Sequence, residues 1–193
     1  MARTGMSILI SSIRAFCNLG TSDYIIGGTE VYWSDDHVQT VLDRHKTTVI
    51  EDELLEVVNT ITGGSVEYKV FHSHFGNFEE TSGGTAIFTI EDSTGANIGT
   101  GSYTADYANG IVTFGADQAG SSRYLSGFSY DLYGSAADIY RMKAGAYAEA
   151  VNFKTDNMSV NRGDAIKQCL QMAQQYAMMA PAKTIDLTRD DSV

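Results

Sequence analysis

Apolar positions recur at spacings of three and four near both ends of the chain, and at spacings of two in the middle. Met6, Leu9, Ile13 and Phe16 form one stripe and predict a helix from about Met6 to Leu19, stopped by Gly20. Ser34 is a natural N-cap, and Asp35 and Asp36 suit the positive end of the helix dipole. The second helix then places Val38, Val41, Leu42 and His45 on one face. Residues 47–62 mix strand-favouring Val49-Ile50 and Val57-Val58 with an acidic run that could be helical; extended structure is the expectation.

From Gly63-Gly64 the period is two. Val66, Tyr68, Val70, His72 and His74 alternate with Glu67, Lys69, Phe71, Ser73 and Phe75, which predicts a strand. A second strand is expected at Ala86 to Glu91, and a third where Tyr124, Ser126, Phe128, Tyr130 and Leu132 alternate. Between them Asn109-Gly110 predicts a two-residue type I′ hairpin turn, pairing Ala108 with Ile111, Tyr107 with Val112 and Ala105 with Phe114.

Helical spacing then returns. Ser135 and Asp138 have the spacing of a capping box, with Tyr140, Ala144, Tyr147 and Val151 on one face behind them. A last helix is expected from near Asn161, with Ile166, Cys169, Ala173, Tyr176 and Ala180 on one side and Pro181 at its end. The fold class expected is α+β: a small bundle of N- and C-terminal helices with an inserted antiparallel β segment. The corresponding boundaries are 1–62 for the N-terminal helical part, 63–134 for the β segment, 135–181 for the C-terminal helices and 182–193 for an acidic tail that orders on binding.

The chain has 193 residues, enough for one hydrophobic core or a core with a small appendage. The net charge of −11, with only 13 Lys and Arg, argues against a surface that grips nucleic-acid phosphates. An acidic surface could still let a duplex pass without holding it. No run approaches the roughly 18 apolar residues of a membrane helix, and no signal-peptide pattern opens the chain.

Candidate chemistry is sparse. His72 and His74 share a strand face and could anchor zinc if a third ligand arrived, with Glu79 and Glu80 nearby in sequence. Asp35-Asp36-His37 could form an acid–base cluster, although a helix start already accounts for the two aspartates. Cys17 and Cys169 lie on apolar stripes and read as buried free thiols. Arg162-Gly163-Asp164 reads as a helix start, with the aspartate serving the backbone. No phosphate-cradling glycine loop, dinucleotide fingerprint or G-x-S-x-G is present, so no cofactor is expected. The tyrosines and phenylalanines from Tyr103 to Tyr147 suit cross-strand packing. Tyr176, Met178 and Met179 just before Pro181 read as a helix end packed on its own core, or alternatively as an adaptable contact surface.

Three stretches in order carry a resemblance. The first is Tyr32-Trp33-Ser34-Asp35-Asp36 running into Val41-Leu42-Asp43-Arg44-His45. The second runs from Tyr107 through Asn109-Gly110 to Gln118, followed by Leu125 to Asp138. The third is Asn152-Phe153-Lys154-Thr155-Asp156 leading to Arg162 and the last helix. Together they resemble head–tail adaptor (connector) proteins of siphovirus-type bacteriophages and related gene transfer particles, over about Ser7 to Ala180.

The resemblance implies a non-enzymatic virion protein made in the host cytoplasm and placed at the virion neck. Its subunits would form a closed ring of about twelve copies, docked beneath the portal protein and receiving stopper and tail-terminator proteins below. In such a protein terminal segments and loops reach neighbouring subunits or the portal; the portal contacts expected here are Met178, Met179, Lys183, Ile185, Leu187 and Arg189, of which those after Pro181 lie beyond the matching stretches, and the Asn109-Gly110 hairpin is expected to face outward or toward the next ring. Two other readings stay open: a different neck component, such as a stopper or tail-completion protein, and a small metal- or ligand-binding β-domain anchored on His72 and His74.

Overall fold

The computed structural model describes residues 1–20, 25–26, 30–31, 33–62, 65–81, 87–118, 121–149, 154–155, 158–159 and 162–181. The elements in chain order are α1 (Ser7–Cys17), β1 (Ile25–Ile26), β2 (Glu30–Val31), α2 (Asp35–Asp43), β3 (Lys46–Glu53), β4 (Leu55–Thr62) and β5 (Ser65–His72). There follow β6 (Thr89–Asp92), β7 (Asn97–Ile98), β8 (Tyr103–Asp106), β9 (Ile111–Phe114), β10 (Arg123–Tyr130), α3 (Leu132–Glu149), β11 (Lys154–Thr155), β12 (Met158–Ser159) and α4 (Arg162–Met179). Among the described residues, four α-helices and two four-stranded antiparallel sheets make an α+β fold. The α3 helix packs against α1, α2 and α4.

The sheets run in the orders β3-β10-β6-β7 and β4-β5-β9-β8. Residues 46–62, open between strand and helix in the sequence, are the two strands β3 and β4, and each is an edge strand of a different sheet. Leu54 joins them. It is buried, and its N–H donates to the Arg123 carbonyl. The two sheets share one core, built from Val49, Ile90 and Leu125 of the first and Phe71, Val112 and Phe114 of the second. In β5 it is Phe71 that enters this core, while Val66 stays exposed. A second core lies among the helices, where Leu9, Ile13, Trp33, Val38, Leu42 and Ile139 pack together.

Helix ends account for several residues. Asn18, in the left-handed region at φ 47°, caps α1, so the helix stops before Gly20. The carbonyls this leaves open are met by side chains. Tyr140 and Tyr176 both donate to the Phe16 carbonyl at 3.2 Å, and Lys143 donates to that of Cys17 at 2.6 Å. Phe16 also stacks with Tyr133 and Tyr176, so the end of α1 is held by both C-terminal helices.

Ser34 caps α2 as the sequence indicates, accepting from the His37 N–H at 3.2 Å. The Ser135–Asp138 capping box does not form. The α3 helix starts three residues earlier, where the Asp131 carboxylate accepts from the Gly134 N–H at 2.9 Å. Ser135 lies inside the helix, its hydroxyl donating to the Asp131 carbonyl, and Asp138 instead binds His45 and Arg141.

The Asn109-Gly110 hairpin also differs from its sequence expectation. Asp106 pairs with Ile111, Ala105 with Val112 and Tyr103 with Phe114, so the loop holds four residues and the register moves by two. A shift of two keeps the faces and changes the neighbours. Only Gly110 has positive φ, at 66°. Asp106 supplies the reason, because its carboxylate accepts from the N–H groups of Ala108 and Asn109 and from the Asn109 amide. An Asx-type turn thus outcompetes the type I′ turn.

Candidate functional site

The segment from Ser73 to Glu80 runs between the sheets and the helices. Its backbone takes partners from several elements. The N–H groups of Ser73, Asn77 and Phe78 donate to the carbonyls of Gly110, Ala108 and Tyr107. Glu79 donates to Phe128 and Glu80 to Gly5, while Tyr130 donates back to Asn77. The hairpin loop expected to face outward is therefore seated on this segment, and Gly110 is buried. Asn109 remains exposed.

At the end of the segment Glu79 is 1% exposed. A buried carboxylate needs partners, and two side chains supply three hydrogen bonds. Arg3 donates through Nε at 2.7 Å to Oε1 and through Nη2 at 3.2 Å to Oε2. The Tyr130 hydroxyl donates to Oε2 at 2.7 Å. The same guanidinium holds both oxygens of Asp43, at 3.1 and 2.7 Å. One arginine near the start of the chain thus ties α2 and β10 to the 73–80 segment.

Burial pushes Asp43 up, but its hydrogen bonds and charge contact with Arg3 outweigh this and hold it below the usual carboxylate range. Asp138 is also held low, with hydrogen bonds from His45 and Arg141 prevailing over its burial. Both folded-state pKa values lie below the unfolded value of about 3.9, so their contribution to stability is complete above that pH and is lost as pH falls through the folded values. Thermal midpoints recorded from pH 7 to pH 2.5 are expected to stay nearly level down to about pH 4 and then fall. Asp43→Asn should flatten the acid limb; an unchanged limb in that variant would remove Asp43 from the explanation.

A cleft of about 700 Å³ opens beside this cluster. Lys46 and Thr47 of β3, Phe75 and Asn77, Asp131 and Tyr133 at the start of α3, and Met179 and Pro181 at the end of α4 all line it. Phe75 and Tyr133 are partly exposed there, and Met178 and Met179 stand 79% and 57% exposed. Met178 and Met179 are the two C-terminal contact candidates that lie among the described residues. Lys183, Ile185, Leu187 and Arg189 lie outside them.

The remaining sequence candidates find local partners. His74 pairs through Nδ1 with Asp52 at 2.8 Å, and Ser73 donates to the other oxygen of Asp52 at 2.6 Å. Among the described residues no group of three or more His, Cys, Asp and Glu side chains is placed to hold a metal ion, so His72 and His74 gain no third ligand there. Asp35 pairs with Arg14 at 2.7 Å, which gives it a structural role at the α2 start. Both cysteines are free and buried, and burial pushes the Cys17 thiol up to about 12, away from nucleophilic use. The sequence reading missed Arg3, Glu79 and Tyr130 as a group. A lone Glu in a loop carries no pattern; only its burial gives it a role.

The chain matches no family model, no curated protein and no solved structure.

Proposed function

We propose that this chain is a structural virion subunit: a head–tail adaptor that docks under the portal protein and links the DNA-filled head to the tail. The observation that carries this reading is the end of α4. Met178 and Met179 leave large apolar side chains in solvent, and Met179 lines an open cleft. An adaptable apolar end next to a cavity suits a protein contact better than a small-molecule site.

The order of the three stretches resembling such adaptors also supports it. In this reading α1 to α4 are the small helical bundle of the family, and the two sheets are its elaboration. The chain works mechanically and needs no cofactor. Its acidic charge suits a channel through which DNA passes without sticking. Copies of the chain close into a ring at the virion neck, with stopper or tail-terminator proteins on the other side.

The test is the solution mass of the purified chain, alone and mixed with the portal protein of the same genome, with and without residues 182–193. The expected result is a chain that joins the portal and loses that binding when residues 182–193 are removed. Chains that ignore the portal in every form would overturn the adaptor reading.

A further inference from the structure

We propose that the outer face of the sheet β4-β5-β9-β8 seats the same face of a second copy of this chain. The contact belongs to the free chain in solution, so it holds or fails without the portal. Phe71, Val112 and Phe114 turn one face of this sheet to the core. Strand pairing fixes what lies on the other. Leu55 pairs with His72 and Val57 with Val70, and His72 and Val70 pair in turn with Ile111 and Thr113. Alternation along β5 adds Val66 and Tyr68 to the same face.

This face is apolar where an antiparallel sheet ordinarily turns polar residues to water. Leu55, Val57 and Val66 are 53%, 37% and 42% exposed, and Tyr68, Val70 and Ile111 are half-buried beside them. The core-side face runs the other way. Beyond Phe71 it carries Glu67 and Lys69, which pair with each other at 2.6 Å. The β4-β5 ribbon thus turns its apolar side away from the protein's own core. Six apolar side chains on three adjacent strands make a patch, the mark of a contact surface.

Charge selects the occupant. The charged residues of β4, β5 and β9 are Glu56, Glu67 and Lys69. All three lie on the other face, Glu56 because it pairs with Phe71 and the other two by alternation with Phe71. An anionic membrane or a nucleic acid would need Lys or Arg here, and these strands offer none on this side. Two copies of a chain of net charge −11 repel in general. On this face they meet without setting carboxylate against carboxylate. Asp106, at the far edge on β8, is already held by the N–H groups of Ala108 and Asn109. An uncharged apolar patch laid on its own copy is the isologous contact of a two-fold dimer, with the sheets about 10 Å apart.

The test is the mass of the full chain by sedimentation over a wide range of concentration. The native chain is compared with Val57→Asp/Val66→Asp, Val66→Thr and Ile50→Asp. The expected result is a dimer mass at high concentration for the native chain and a monomer mass for the double aspartate variant. Val66→Thr keeps the β-branched shape and with it the fold. It should weaken dimerisation about tenfold, because a methyl is replaced by a hydroxyl in both copies. Ile50→Asp alters an exposed position of the other sheet and should dimerise as the native chain does. A native chain that stays monomeric or passes directly to larger assemblies overturns the proposal. So does a dimer that the position 57 and 66 variants leave intact, or one that Ile50→Asp disrupts as strongly.

Discussion

Arg3→Met is expected to lower the unfolding free energy by about 3 kcal/mol, the lower end of the cost of breaking a buried ion pair. Glu79 is 1% exposed and takes two of its three side-chain hydrogen bonds from Arg3. Without the guanidinium, the carboxylate stays buried with only the Tyr130 hydroxyl. The lower end applies because the Arg3 side chain is 41% exposed, so water can reach part of the gap. Urea unfolding should show a lower midpoint with an unchanged slope. Adding Glu79→Gln to the variant should recover part of the loss, because the stranded charge is gone. A cost below about 1 kcal/mol, the range of an exposed pair, would mean that the cluster does not hold the helices to the sheets.

Gly110→Val is expected to cost about 3 kcal/mol or more, combining a left-handed β-branched residue with a steric clash. Gly110 has φ 66°, and a Cβ there would run into the Phe75 carbonyl and the Ser73 side chain. The Gly110 carbonyl also accepts from Ser73, so the loop cannot lift away without losing that bond and those of Asn77 and Phe78. Asn109→Ala should cost only about 1 kcal/mol, since the exposed Asn109 side chain gives up one hydrogen bond to Asp106. Calorimetric midpoints of the two variants check the contrast. Equal losses would show that turn chemistry, rather than docking of the loop on 73–80, limits stability. The Asn109-Gly110 loop is thus anchored through Gly110 to the 73–80 segment, while Asn109 stays exposed.

Several elements could be read from local pattern alone. The stripe of Leu9 and Ile13, the Ser34 cap and the return of helical spacing after residue 135 rest on local periodicity and local hydrogen bonds, and these survive in the fold. Alternation likewise marked β5 and β10 as strands. It did not show that Phe71, rather than Val66, is buried, because strand faces are equivalent until another layer covers one of them.

Tertiary structure alone decided how β3 and β4 divide between two sheets at Leu54, a matter of which distant strands offer free edges. It set the hairpin register, where Asp106 competed with Asn109-Gly110 for the turn. It also gathered Arg3, Asp43, Glu79 and Tyr130 from four separate parts of the chain. Nothing in their spacing reveals such a cluster. Burial of Glu79 creates the need for a counter-charge, and only the folded chain brings Arg3 within 2.7 Å to meet it.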